Sequence, residues 1–357
     1  MTKTISLENI HFLSYTNAVD EMIMQYLKQP ISNEDKPKKK RKKKTYKRNW
    51  SLYNLAKTEG MPIYLRLTSL LADLLPIKGI ANRMGAPPKE MRIMLKCCAV
   101  KVFINRSSRD SVGFLKLVYP HLDMLYSEIP HFNTISSYMR NPVLKYYLGL
   151  LISLSFEPFK EIEKSFSVDS SGVGTANYQR WFDKKYGENK YRKKWLKLHI
   201  ICGNFLNAIC SAIVTKGNKA DSPVLKQLLD GTVYTRVMEI LCADPAYLSR
   251  SNCNLAEDLG TILRVKPKKN TTRKPKGSKA WKENVSLAQD HPEIFAKEYH
   301  KRSNVETDFW MIKGKNAGFV WSIDEEGQEN EILFKVFNHN VRCLARGNIE
   351  FDIKLPD

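Results

Sequence analysis

The sequence predicts an all-helical N-terminal region followed by an α/β domain built on a mixed five-stranded sheet flanked by helices. Three observations carry that expectation. Apolar residues recur at helical spacing from about Trp50 to Phe159, the texture then changes to short apolar or alternating runs, and helical segments are interleaved with those runs and follow them. With 357 residues the chain exceeds one typical domain, which leaves room for a large core and an accessory module.

Charge sets the class of partner. Lys plus Arg number 58 against 37 Asp plus Glu, a formal net charge of +21 that favours a polyanion such as nucleic acid. Ten of those basic residues fall within 36–48 with no acid among them. Such a self-repelling block cannot pack, so it predicts a flexible linker that closes an N-terminal segment, 1–49, and acts as an electrostatic tether to phosphates. The remainder of the chain is still basic, so the excess does not belong to one tail.

The helical region, 50–159, rests on Leu65, Leu67, Leu70, Leu71, Leu74 and Leu75, then on Met91, Met94, Leu95, Ala99 and Phe103, with punctuation at Pro76, Pro87, Pro88, Pro130 and Pro142. Two stretches, 79–100 and 130–140, read as turn-separated helices able to enter a major groove, which makes this the expected DNA-binding region; a plain helical bundle gives the same pattern. Strands are expected over 165–168, 195–202, 208–214, 237–242 and 261–265. Their order with the intervening helices, β-β-β-α-β-α-β-α, is that of a ribonuclease-H-like core, here expected over 160–350 with a basic loop at 266–282. An amphipathic helix over 329–344, with Ile332, Leu333, Val336, Phe337, Val341 and Leu344 on its core face, closes the domain.

The chemistry sits at three places. The first strand is expected to end at Asp169, in Val168-Asp169-Ser170-Ser171-Gly172, and the fourth to deliver Asp244 in Ala243-Asp244-Pro245-Ala246-Tyr247. Open α/β sheets place ligands at that carboxyl edge, although a lone strand-end Asp is commonly a cap or turn residue. The third element is Tyr299, Arg302, Glu306 and Lys313. On one helix those offsets fall within a stripe roughly 60° wide, so one acid would lie among phosphate-binding side chains. The plainer alternative is an exposed helix face with an Arg302–Glu306 pair.

Together with Asp169 and Asp244, this spacing resembles the Y-R-E-K signature group of the DDE transposases of prokaryotic insertion sequences. The likeness extends over about 120–345, through Pro130-His131-Phe132-Asn133-Thr134-Ile135-Ser136, Trp195-Leu196-Lys197-Leu198-His199, Asn218 and Asp221-Ser222-Pro223. Pro245 departs from the Lys expected after the second Asp and stiffens that turn. The resemblance implies that Asp169, Asp244 and Glu306 are catalytic and ligate two divalent ions. Oxygen ligands favour hard cations, so Mg²⁺ is expected and Mn²⁺ can substitute. By the same analogy Tyr299, Arg302 and Lys313 contact DNA. The substrates are the element's terminal repeats and target double-stranded DNA, cut and rejoined by a homodimer. Two other classes compete: a non-catalytic transposase-derived DNA-binding protein, and a nuclease of the same fold that hydrolyses without joining strands.

The remaining features are bland. Seven cysteines without C-x-x-C spacing predict reduced packing thiols rather than zinc or disulfides. No apolar run reaches the roughly 20 residues a membrane span needs, and the N-terminus lacks a secretory pattern, so a cytoplasmic, nucleoid-associated protein is expected. Lys197 and His199 alternate on one strand face, with His199 read as structural. Trp281 is a candidate wedge into DNA, against which the shortness of its loop argues.

Overall fold

The computed structural model describes residues 49–77, 88–175 and 195–355; the basic run 36–48 and most of the turn that opens the stretch 79–100 lie outside the described residues. The helical region begins with α1 (Trp50–Thr58), capped by the Asn49 side chain, and α2 (Gly60–Asp73). It continues through α3 (Met91–Ile104), α4 (Ser108–Val118), α5 (Phe132–Met139) and α6 (Val143–Phe156). α3 is buried from Ile93 to Val102, and Asn105 in the left-handed conformation ends it. Asn suits that position because its short polar side chain tolerates positive φ.

Five strands follow: β1 (Ser165–Gly174), β2 (Trp195–Gly203), β3 (Ile209–Lys216), β4 (Ile240–Ala243) and β5 (Ile262–Val265). They form one sheet in the order β3-β2-β1-β4-β5. β1–β2 and β2–β3 are antiparallel, whereas β1–β4 and β4–β5 are parallel and need the crossovers α7 (Val224–Asp230) and α8 (Arg250–Asp258). This is the mixed five-stranded sheet flanked by helices and preceded by a helical region, the ribonuclease-H-like layout expected of the sequence. β4 is nearly all buried, which explains why Ile240-Leu241-Cys242-Ala243 reads as an uninterrupted apolar run.

Four helices complete the chain: α9 (Lys279–Asp290), α10 (Pro292–Tyr299), α11 (Asn304–Asn316) and α12 (Glu325–Phe351). α12 is longer than the 329–344 expected of it and packs against α6, α3, α2, α1 and β3. The described residues therefore make one compact unit around a single core. Polar side chains of α12 tie its layers together. Asn340 accepts from Ile209 N (2.8 Å) and donates to Ile209 O (2.7 Å) and Ser155 Oγ (3.0 Å); Asn338 accepts from Tyr64 OH (2.7 Å) and donates to Ala99 O (3.0 Å). All seven cysteines are buried free thiols, as packing residues should be. Among the described residues no helix is long and apolar enough to cross a membrane.

Candidate active site

The parallel pairing of β1 with β4 stops at Val168↔Ala243, so the next residues, Asp169 and Asp244, emerge side by side where β4 ends. The first strand does not end there, contrary to the sequence reading. β1 continues for five residues beyond Asp169, paired with β2 through Gly174↔Trp195 and bridged at Gly174 to Phe319. Asp169 is consequently a mid-strand residue whose side chain is only 17% exposed, rather than an acid turned out to solvent. Asp244 heads a short 3₁₀ turn, Pro245–Tyr247. Pro245 takes the first position, where its fixed φ suits the turn and its missing N–H costs nothing.

The third element also differs from its sequence reading. Tyr299 ends α10, Arg302 lies in a 3₁₀ turn, His300–Ser303, and Glu306 and Lys313 occupy the first and last turns of α11. The single stripe is thus broken into three segments. All four side chains nevertheless face the β1–β4 edge, because the tighter 3₁₀ turn re-aims the chain without carrying it away from the sheet. Tyr299 OH donates to Ala243 O (3.3 Å), and Lys313 Nζ donates to Ser171 Oγ (2.6 Å).

Arg302 gathers the acids. Its Nη2 lies 2.8 Å from Asp169 Oδ2 and 3.0 Å from Asp244 Oδ1, and its Nη1 lies 3.0 Å from Glu306 Oε1. Three carboxylates around one guanidinium leave an excess of negative charge. Like charges gathered this closely repel one another, and a further cation would relieve that repulsion. Burial pushes the Asp169 carboxyl above its ordinary pKa, opposed by the Ser170 N–H (2.8 Å) and Arg302 and reinforced by Asp244 and Asp221. On Arg302 burial works against the charge, but the surrounding carboxylates outweigh it and hold the pKa above the usual value. Burial lowers that of Lys313.

The oxygen donor set and the reach of all three acids to one cationic group suit hard divalent ions. As placed, however, no group of three or more His, Cys, Asp or Glu side chains among the described residues stands at metal-ligating distance. The acids surround the guanidinium instead of meeting at a point. Joint ligation therefore requires Arg302 to withdraw, and Glu306, 62% exposed on a first helical turn, has the space to swing inward.

One neighbour of the site had been seen in the sequence only as part of a familial stretch. Asp221 accepts from Ser170 Oγ (2.9 Å) and pairs with Lys197 Nζ (2.6 Å), placing a fourth carboxylate beside Asp169. Its loop lies between β3 and α7, and no periodicity or spacing links it to β1. His199 is fully buried, 2.9 Å from Thr215 Oγ1, and burial lowers its pKa to about 4, so it is a neutral structural residue. Trp281 is buried in α9, donates to Thr272 O (3.0 Å) and carries Arg250 on its ring at 4.4 Å, which leaves no face for a DNA wedge.

A family model described as a transposase DDE domain matches residues 163–340, about half of the chain, and spans β1 through most of α12. No curated protein and no solved structure matches the chain.

Proposed function

The chain belongs to the DDE transposases, nucleotidyl-transferring enzymes of DNA transposition that are generally dependent on divalent metal, and on that premise we propose that it binds the ends of an insertion sequence, cuts there and joins the freed end to target DNA. The observation that carries this reading is the convergence of Asp169, Asp244 and Glu306 on one guanidinium at the sheet edge. These three acids are the catalytic residues and would hold two divalent ions, Mg²⁺ in the first instance. Bound metal supplies Lewis acidity at the scissile phosphate and a nucleophile at neutral pH.

The protein's own part is positioning. Asp169 is fixed by the sheet and Asp244 by the Pro245 turn, whereas Glu306 approaches from α11. Arg302, relieved of the carboxylates, offers a planar fork to phosphate oxygens; Tyr299 and Lys313 flank it, Lys313 as a point charge. That arrangement belongs to the Y-R-E-K group. The 3′-hydroxyl produced by hydrolysis then attacks target DNA in line at the same acids, and two ends require two protomers, so the working form is a homodimer. The helical region, 50–159, would contact DNA outside the cut, through α5 and the basic linker 36–48. A protein acting on chromosomal DNA would work in the cytoplasm, on the nucleoid.

The test is a reaction of the full chain with Mg²⁺ and DNA carrying the flanking element ends together with a target plasmid. Joined products that require metal are the expected result. Nicking without joining would reduce the protein to a nuclease, and binding without cutting would reduce it to a transposase-derived DNA-binding protein.

A further inference from the structure

A cavity of about 270 Å³ opens between α1, the last turn of α11 and the second half of α12. Four cations line it, Lys57, Lys315, Arg342 and Arg346, against a single acid, Glu350. Arg346 and Glu350 satisfy each other through two parallel contacts of 3.0 Å. Among the described residues Lys57, Lys315 and Arg342 have no carboxylate within ion-pair distance. Arg342 is fixed in place, its guanidinium 4.2 Å over the Phe103 ring and its Nη1 donating to Asn316 Oδ1 (3.0 Å). Burial, then the like charges of Lys57, Arg342 and Arg346, hold Lys315 below the usual lysine pKa; burial lowers that of Arg342.

Unmatched cations in one concavity cost stability. Like charges gathered in one concavity repel one another, and an anion in the cavity removes that cost. Three positive charges in excess, one of them a rigid planar fork, suit a phosphate group with two free oxygens: Arg342 bidentate, Lys57 and Lys315 as point charges. The pocket is also separate from the carboxylates. Lys315 follows Glu306 by nine positions on α11, which places it about 13 Å along the axis and half a turn around it. A phosphate at Glu306 cannot reach the cavity.

We propose that this cavity is a second phosphodiester site, which holds a DNA backbone phosphate other than the one that is cut. The inference rests on the DNA-cleaving function argued above. It adds a contact on the far side of α11 and predicts that DNA wraps past that helix or that a separate DNA segment docks there.

Lys57→Gln with Lys315→Gln tests it in the full chain, since both residues keep exposed surface and Gln preserves most of each aliphatic stem. DNA affinity should fall about tenfold, and the dependence of log affinity on log salt should flatten by roughly one unit, the signature of one lost phosphate contact. Cleavage at saturating DNA should stay at the wild-type rate. DNA with single methylphosphonate substitutions should reveal one non-scissile phosphate whose neutralisation weakens the wild type and not the variant. Equal affinity and salt slope in variant and wild type would overturn the inference while wild-type cutting persists. Thermal stabilisation by inorganic phosphate that disappears in the variant, with DNA affinity unchanged, would overturn the assignment to DNA. Failure of the wild type to bind DNA would instead remove the functional reading beneath it.

Discussion

The sheet edge and the middle of α12 both gather polar side chains, yet they treat charge in opposite ways. From Asn330 to Asn340 the buried polar groups of α12 are paired. Buried Glu331 accepts from Trp321 N, Ser322 N and Ser322 Oγ, Lys335 donates to Ala317 O and Phe319 O, and Asn330, Asn338 and Asn340 each bridge to another element. At the sheet edge three acids share one cation, and exposure rises from Asp169 at 17% through Asp244 at 38% to Glu306 at 62%. A satisfied, buried network holds the fold together. A half-open cluster with unbalanced charge has the room and the charge to take a ligand.

That contrast can be broken by substitution. The largest effect belongs to the edge: Asp169→Ala should lower metal-dependent cleavage by about 10³-fold or more while the melting temperature stays within a few degrees, because catalytic groups that act as a unit fail together. Cleavage by the wild type at limiting Mg²⁺ should also decline on acidification, since burial raises the pKa of Asp169 in the metal-free site and its protonated form is a poor ligand. Asn340→Ala should do the reverse. It strips partners from the backbone N–H and C=O of Ile209 and should cost about 3 kcal/mol in urea unfolding, with the cleavage rate per folded molecule unchanged.

A smaller effect separates Asp308 from Glu306, two residues before it. Asp308 faces the core from α11, fully buried, 3.9 Å from His339, and burial raises its pKa to about 8. The folded state therefore keeps a proton that the unfolded chain releases near pH 4, so the Asp308 contribution to stability falls as pH rises from about 4 to 8. Asp308→Asn, neutral throughout, should flatten that fall, with an advantage over wild type that grows to about 2 kcal/mol by pH 8 in denaturant titrations, part of the gain being returned by the buried amide. Tyr299→Phe should change least. Its hydroxyl makes one 3.3 Å bond to Ala243 O, so stability should move by less than about 1 kcal/mol and cleavage by less than about tenfold.

The sheet was legible because each strand is a short apolar or alternating run bounded by polar turns, and four of the five were placed within a few residues. β1 was the exception. Beyond Asp169 it reads Ser170-Ser171-Gly172, residues of low strand propensity that pair only because β2 supplies a partner along the whole length. The break between α10 and α11 was hidden for a related reason: spacing reports which residues can share a face, not whether the backbone tightens to 3₁₀ between them. The three acids were picked out by the apolar runs that precede Asp169 and Asp244 and by the Tyr299–Lys313 spacing, and the structure gathers them around Arg302. Asp221 and the basic cavity were not, since each joins residues from elements far apart in sequence whose meeting depends on tertiary packing.

The central claim is that Asp169, Asp244 and Glu306 form one catalytic unit. It is tested most directly by Mg²⁺-dependent cleavage of element-end DNA with Asp169→Asn, Asp244→Asn, Glu306→Gln and their pairwise combinations. Each single variant should fall to the metal-free background, and the double variants no lower. Any single variant that keeps more than about a tenth of wild-type cleavage, while remaining folded and bound to DNA, would contradict the account.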